Sequence, residues 1–291
     1  MTRHILVFGL GYTGAEIAHA AAGHGLGVTV VTRRPGAAPA WLAEAGIGIA
    51  PFDAPPLAGA THLVATAAPD ERGDPVLAAH EAAIAAARPQ WIGYLSTTGV
   101  YGDRDGGWVD EATEPAPAQP RSRRRRAAEE AWERVAARAG ARLDLIRLAG
   151  IYGPGRSAFD ELRAGSARRV VKPGHAFSRI HVADIASLVL AAIEHPPQGR
   201  VRVLHGADDE PASSAEVVAE AARLMGLAPP PEVPFEAARE AMSPMALSFW
   251  TESRKVANAG TKAATGWSPR FPTYREGLAA VLAAEASAGE P

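Results

Sequence analysis

The sequence predicts an α/β fold: a doubly wound parallel sheet followed by a smaller C-terminal α/β part. Three observations predict it. Short, nearly continuous apolar runs rich in Val, Ile and Leu alternate with Ala-rich segments of helical length. Strands that read this way are covered on both faces, as parallel strands are. A turn with three glycines joins the first apolar run to the first helical segment. At 291 residues the chain is also long enough to bury roughly three quarters of its unfolded surface without a disulfide or metal staple.

Each element follows from its local pattern. His4–Phe8 is the first expected strand, Thr13–Ala22 the first helix and Val28–Thr32 the second strand. Trp41–Ala45 reads as a short helix, and Ile47–Ala50 and His62–Thr66 as strands. Val76–Arg88 is a helix stopped by Pro89, and Trp91–Ser96 is a strand. Ser122–Ala139 is a helix ended by Gly140, and Leu143–Leu148 is a strand. Beyond it, Arg169–Lys172 and Phe177–His181 flank Pro173–Gly174 and predict a small hairpin. Val182–Glu194 and Ser214–Met225 read as helices, with the strand Val201–His205 between them. Leu227–Pro234 is Pro-rich and reads as a loop, and a last helix is expected over Tyr274–Ala286. No internal repeat is visible.

Composition narrows the function. Hydrophobic residues make up 47% and charged residues 21% of the chain, as in an ordinary globular protein. Cysteine is absent, which excludes disulfides, zinc–thiolate sites, iron–sulfur clusters and thiol nucleophiles together. The nine histidines show no metal-ligand spacing, so no metal is expected. There is no GxSxG elbow and no P-loop. The net charge of −2 gives no general reason to bind nucleic acid or an anionic membrane. No apolar run approaches the ~20 residues of a membrane span. Ile5–Leu10 is followed by glycines and Glu16, a poor signal peptide. A cytoplasmic protein is therefore expected, with a small-molecule substrate and either a monomeric or a homodimeric state.

The clearest motif is Gly9-Leu10-Gly11-Tyr12-Thr13-Gly14, placed directly after a strand and at the start of a helix. That context makes it a Rossmann-type dinucleotide-binding turn rather than a chance GxGxxG. Gly9 permits the tight turn, Gly11 lets a pyrophosphate approach the backbone, and Gly14 lets helix pack on strand. The helix N-terminus then presents free N–H groups and a positive dipole end. At the end of the second strand, where an NAD enzyme usually carries an acid, stand Arg33 and Arg34. A guanidinium can hold a 2′-phosphate through two hydrogen bonds. NADP(H) is thus expected as cofactor, with NAD less favoured. Asp53 after the third strand could accept from the adenine amino group. Ala67, Ala68 and Pro69 after the fourth are small enough to lie against a ribose.

With these residues in view, the sequence resembles the extended and atypical short-chain dehydrogenase/reductase superfamily of the NAD-dependent epimerase/dehydratase type. The segments that carry the resemblance are GLGYTG (9–14), LSTTGVYGD (95–103), RLAGIYGPGR (147–156), SRIHVADIA (178–186) and KAATGWSP (262–269). The resemblance implies a dinucleotide-binding domain over 1–155 and 180–206 and a smaller substrate domain over 156–179 and 207–291. The active site would lie between them. It places Thr97 at the family's Ser/Thr position and Ile151–Gly155 in the loop that passes the nicotinamide. His181 and Asp184, at a helix start, read as capping and packing residues.

The chain departs from the family at the catalytic pair. The family uses Tyr-x-x-x-Lys on the helix after the fifth strand, a tyrosine to exchange the proton and a lysine to lower its pKa. Aligning Ala127-Ala128-Glu129 with the family's Ala-Ala-Glu puts Arg121 and Arg125 at those positions. No Tyr or Lys occurs between Gly102 and Gly140. Arginine stays protonated above pH ~12 and cannot run a proton relay near neutrality. Three readings of the run Arg121–Arg126 stay open: a solvated face with i,i+4 Arg–Glu pairs, a nucleic-acid patch, or an anion site. Cations in the first turn of a helix oppose its dipole, which favours a compensating anion. Tyr101 and Tyr152 are the phenols that could replace the missing one, and packing or loop capping is the plainer role for each. The family's nucleotide-sugar enzymes often carry Arg-Asp where this chain has Phe177-Ser178, which disfavours a nucleotide-sugar substrate. Two functions follow: an NADP(H)-dependent oxidoreductase or epimerase-like enzyme acting on an unidentified small molecule, or a catalytically impaired sensor or regulatory protein that binds NADP(H).

Overall fold

The structure is a computed structural model that describes residues 3–288; residues 1–2 and 289–291 of the expected domain limits lie outside them. In chain order the first half contains β1 (His4–Phe8), α1 (Tyr12–Gly23), β2 (Gly27–Thr32), α2 (Trp41–Glu44), β3 (Gly48–Pro51), β4 (His62–Ala65), α3 (Pro75–Ala87), β5 (Trp91–Thr97), β6 (Trp108–Val109), α4 (Pro120–Ala139) and β7 (Arg142–Leu148). The second half contains β8 (Gly150–Tyr152), α5 (Ala158–Arg163), β9 (Arg169–Val171), β10 (Arg179–His181), α6 (Val182–Glu194), β11 (Val201–Gly206) and α7 (Ser214–Leu224). It ends with β12 (Glu232–Pro234), α8 (Phe235–Ala238), α9 (Pro244–Trp250), β13 (Lys255–Val256), α10 (Ala259–Thr265) and α11 (Tyr274–Ala288).

Seven parallel strands form the central sheet in the order β11-β7-β5-β4-β1-β2-β3. The apolar runs of the sequence are these strands. β1, β4 and β5 are buried along nearly their whole lengths because helices cover both faces. One layer packs Ile17, Ala18 and Ala21 of α1 with Ile185, Leu188 and Val189 of α6. The other packs Val76 and Ile84 of α3 with Trp132, Val135 and Ala136 of α4. Strand order reverses between β1 and β4, and ligands of such sheets bind at the carboxyl ends on either side of that switch.

Three two-stranded parallel pairs, β8–β10, β9–β12 and β6–β13, build the rest. They correct the expected hairpin. The Pro173–Gly174 turn does form, with Gly174 at φ 74° and His175 N–H on the Lys172 carbonyl at 3.1 Å. Its two arms take other partners. Val170 lies opposite Val233, and Ile180 opposite Ile151, while Phe177 exchanges backbone hydrogen bonds with Ala212. Ile180 is fully buried in the main core, a gain that a local hairpin would forgo. The loop expected over Leu227–Pro234 ends in β12, where Pro234 is tolerated because the strand is an edge. Among the described residues, no helix is long and apolar enough to cross a membrane.

Candidate functional site

The glycine-rich turn sits at the switch point. Gly9 has φ +115°, a conformation open to glycine, and a side chain there would strike the Thr66 hydroxyl. A Cβ on Gly14 would run into the Gly9 carbonyl oxygen, so α1 can approach β1 only with glycine there. Gly11 differs: nothing lies within 4 Å of the position its Cβ would take. It is the N-cap of α1, whose first turn has no side-chain cap. Free N–H groups therefore face open space, as a pyrophosphate requires. The residues present fit a dinucleotide. Arg33 and Arg34 are exposed just past β2, and Asp53 is exposed past β3. Leu10 and Thr13 lie within the turn. The Tyr12 hydroxyl is buried without a partner, and burial raises its pKa to about 12.

A cavity of about 540 Å³ opens past the carboxyl ends of β4, β5 and β7. It brings together Ala68, Pro69, Thr97, Arg121, Arg125 and Tyr152, six of the residues expected at the site. Ala67 lies next to them, half-buried. Thr97 ends β5, and its hydroxyl oxygen accepts the Gly99 N–H at 3.1 Å, which leaves the hydroxyl proton to donate elsewhere. Arg125 is fixed through Nη1, which donates to the Leu95 carbonyl at 2.8 Å and to the Tyr94 hydroxyl at 3.2 Å. The Arg121 guanidinium stands 4.1 Å over the ring of Phe249. Burial lowers its pKa, with Arg254 adding to that effect and Glu252 opposing it. The Tyr152 hydroxyl is buried and unpartnered, and burial, with Asp208 and Asp184 nearby, pushes its pKa up.

Tyr101 is elsewhere. It is fully buried and its hydroxyl is 2.5 Å from His205 Nε2, 2.8 Å from Arg147 Nη1 and 3.2 Å from the Asp110 carbonyl. With every bonding direction taken and no face on the cavity, it is a core residue in this arrangement rather than a proton donor to a substrate. The same network explains Glu129. Fully buried, it accepts from Arg147 at 2.9 and 3.0 Å, from Ser96 at 2.6 Å and from Arg126 at 3.1 Å. This pins α4 to β5 and β7 and so fixes where Arg121 and Arg125 enter the cavity. Arg126 also pairs with Glu130, while Arg125 has turned from the solvated face to the protein interior.

Four further lining residues were not singled out from the sequence: Arg179, Phe249, Glu252 and Arg254. Arg179 belongs to the SRIHVADIA segment (178–186), whose pattern does not orient its side chain. The others lie in the segment after α8, which carries no motif of its own, and reach the cavity only through tertiary folding. His181 does cap α6, its Nδ1 accepting the Ala183 N–H at 3.2 Å, and Asp184 accepts the N–H groups of Arg270 and Phe271.

Residues 76–204 match the family model of the NAD dependent epimerase/dehydratase family. The match spans less than half of the chain. It is similar to a functionally unknown conserved protein of Silicibacter pomeroyi at 43% identity, over 97% of this chain and 99% of that one, with a TM-score of 0.89. Over 145 residues it is 32% identical to a 3-diazoavenalumate denitrifying reductase of a Streptomyces species, covering 46% of this chain and 45% of that protein. The chain thus matches about half the length of that curated relative. The human epimerase family protein SDR39U1, solved with NADPH, shares the fold with a TM-score of 0.73 at 20% identity, over 96% and 98% of the two chains.

Proposed function

We propose that this protein is an NADP(H)-dependent oxidoreductase of the epimerase/dehydratase family, acting on a small molecule without the Tyr-x-x-x-Lys relay. The observation that carries the cofactor reading is the open, uncapped α1 N-terminus at Gly11, beside two exposed arginines at the end of β2. Proteins of this fold have been solved with NADPH or with NAD, so the choice falls to residues such as Arg33 and Arg34. The likeness to a reductase over about half the chain supports redox chemistry. Residues 1–155 and 180–206 would form the cofactor domain, and 156–179 and 207–291 the substrate domain.

When bound, the nicotinamide supplies or takes a hydride. Thr97 would orient a substrate oxygen by donating its free hydroxyl proton as a hydrogen bond. Arg125, immobilised on the Leu95 carbonyl, would hold a fixed positive charge where negative charge develops. Neither arginine can release a proton near neutrality, so their part is electrostatic. Tyr152 is the phenol on the cavity wall; its raised pKa keeps it protonated. The second reading, an NADP(H)-binding sensor or regulator, draws on the same helix without Tyr or Lys. Consumption of NADPH with a panel of ketones and aldehydes separates the two: turnover supports the enzyme, and tight binding without turnover supports the sensor.

Cofactor choice has its own test. Charge-assisted hydrogen bonds contribute roughly 1.5–3 kcal/mol each, and about 1.4 kcal/mol is tenfold in affinity. NADPH is expected to bind at least about tenfold more tightly than NADH, and the double variant Arg33→Ala, Arg34→Ala to lose that preference while still binding NADH. A preference that survives the double substitution would assign the 2′-phosphate to other residues.

A further inference from the structure

The charges that line the cavity do not balance. Arg121, Arg125, Arg179 and Arg254 face one carboxylate, Glu252. Arg254 is paired with it, Nη1 to Oε2 at 2.8 Å, and also donates to the Gly102 carbonyl at 2.6 Å. Arg179 donates to the carbonyls of Phe177 and Ala212, both at 2.8 Å, with Asp208 as its acidic neighbour. Among the described residues, Arg125 and Arg121 make no ion pair: Asp74 is only an acidic neighbour of the first, and Glu252, already paired with Arg254, of the second. The groups Arg125 touches are a carbonyl and a phenol, and Arg121 lies on an aromatic ring. Both stand near the N-terminus of α4, a helix of 20 residues with no acidic residue in its first turn and no side-chain cap. Cations there work against the helix dipole, and an anion placed among them relieves both costs.

Glu252 adds a second constraint. Its side chain is 5% exposed, yet Oε1 has no hydrogen-bond partner. A buried carboxylate oxygen left unpaired is costly, and a donor on the ligand would satisfy it. Phe177 and Phe249 supply apolar surface to the same cavity. Accepting the cavity as the substrate site of the reading above, we propose that its substrate is a small organic acid that also carries a hydroxyl or amino group. Its carboxylate would lie on Arg121 and Arg125, its donor on Glu252 Oε1, and its apolar body against the two phenylalanines.

The test uses the full chain and defined probes. 4-Hydroxycinnamate and 3-hydroxybenzoate are titrated calorimetrically against their amides, with cinnamate and inorganic phosphate as further arms. At least one hydroxy acid is expected to bind tenfold or more tightly than its amide. 4-Hydroxycinnamate should exceed cinnamate, and phosphate should be weaker than the acids. Arg121→Met keeps an apolar stem over Phe249 and should erase the acid-over-amide preference, whereas Arg121→Lys should retain it. Equal binding of acid and amide, a preference that survives in Arg121→Met, or phosphate binding as tightly as the acids would overturn the proposal. NADPH binding to both proteins is measured separately. Its failure would remove the cofactor reading, while the acid titration, run on the chain alone, still decides the substrate class.

Discussion

Gly11→Val is expected to fold like the unsubstituted chain and to lose its affinity for NADPH. The side chain enters space with no protein atom within 4 Å of its Cβ, and the backbone there, at φ −100°, is open to any residue. Nothing in the fold has to move. The same space is where a pyrophosphate must meet the α1 N–H groups, so the two methyls of valine occupy the ligand's place. Affinity should fall by roughly 100-fold or more, about 2.8 kcal/mol, with the melting temperature of the free protein unchanged. Gly14→Val is the control with the opposite signature, because its Cβ would collide with the Gly9 carbonyl and the fold itself should suffer. If Gly11→Val binds NADPH normally, residues 9–14 are not the phosphate turn.

Glu129→Ala is expected to destabilise the chain by about 3–5 kcal/mol, the range for removing one partner of a buried ion pair. Arg147 is 3% exposed and sends two nitrogens to Glu129. Without the carboxylate it keeps the Tyr101 hydroxyl as a neutral acceptor, and Ser96 loses its partner as well. Against a usual total of roughly 5–15 kcal/mol, the loss should appear as a drop in melting temperature on the order of 10 °C. Urea unfolding of Glu129→Ala and Glu129→Gln measures it, with Gln, which keeps an acceptor oxygen, losing less. A change under about 1 kcal/mol would mean that the network is dispensable. Because Glu129 holds α4 in place, residual folded protein should also lose part of the order at Arg121 and Arg125.

What could be read from the sequence follows physical range. The strands of the central sheet and the turn at 9–14 were legible because their causes are local. Burial on both faces writes a continuous apolar run, and close approach of backbone to backbone leaves glycine. The hairpin expected around Pro173–Gly174 shows the limit: the turn signal was sound, but the partners of its arms, Ala212, Val233 and Ile151, are distant in sequence. Tyr101 shows another. Its place in a motif pointed to the cleft, while its burial against His205 and Arg147 depends on strands that periodicity cannot orient. Arg121 and Arg125 were visible as an anomaly at a family position, but Glu252, the carboxylate of the same cavity, lies over 120 residues away in a segment with no pattern of its own.

A crystal structure of the chain with NADPH tests the central claim most directly. The account predicts a pyrophosphate on the N–H groups that open α1, a 2′-phosphate within hydrogen-bond reach of Arg33 or Arg34, and a nicotinamide in the cavity beside Ala68 and Thr97. A dinucleotide bound elsewhere, or a 2′-phosphate held away from both arginines with the nicotinamide outside that cavity, would contradict it.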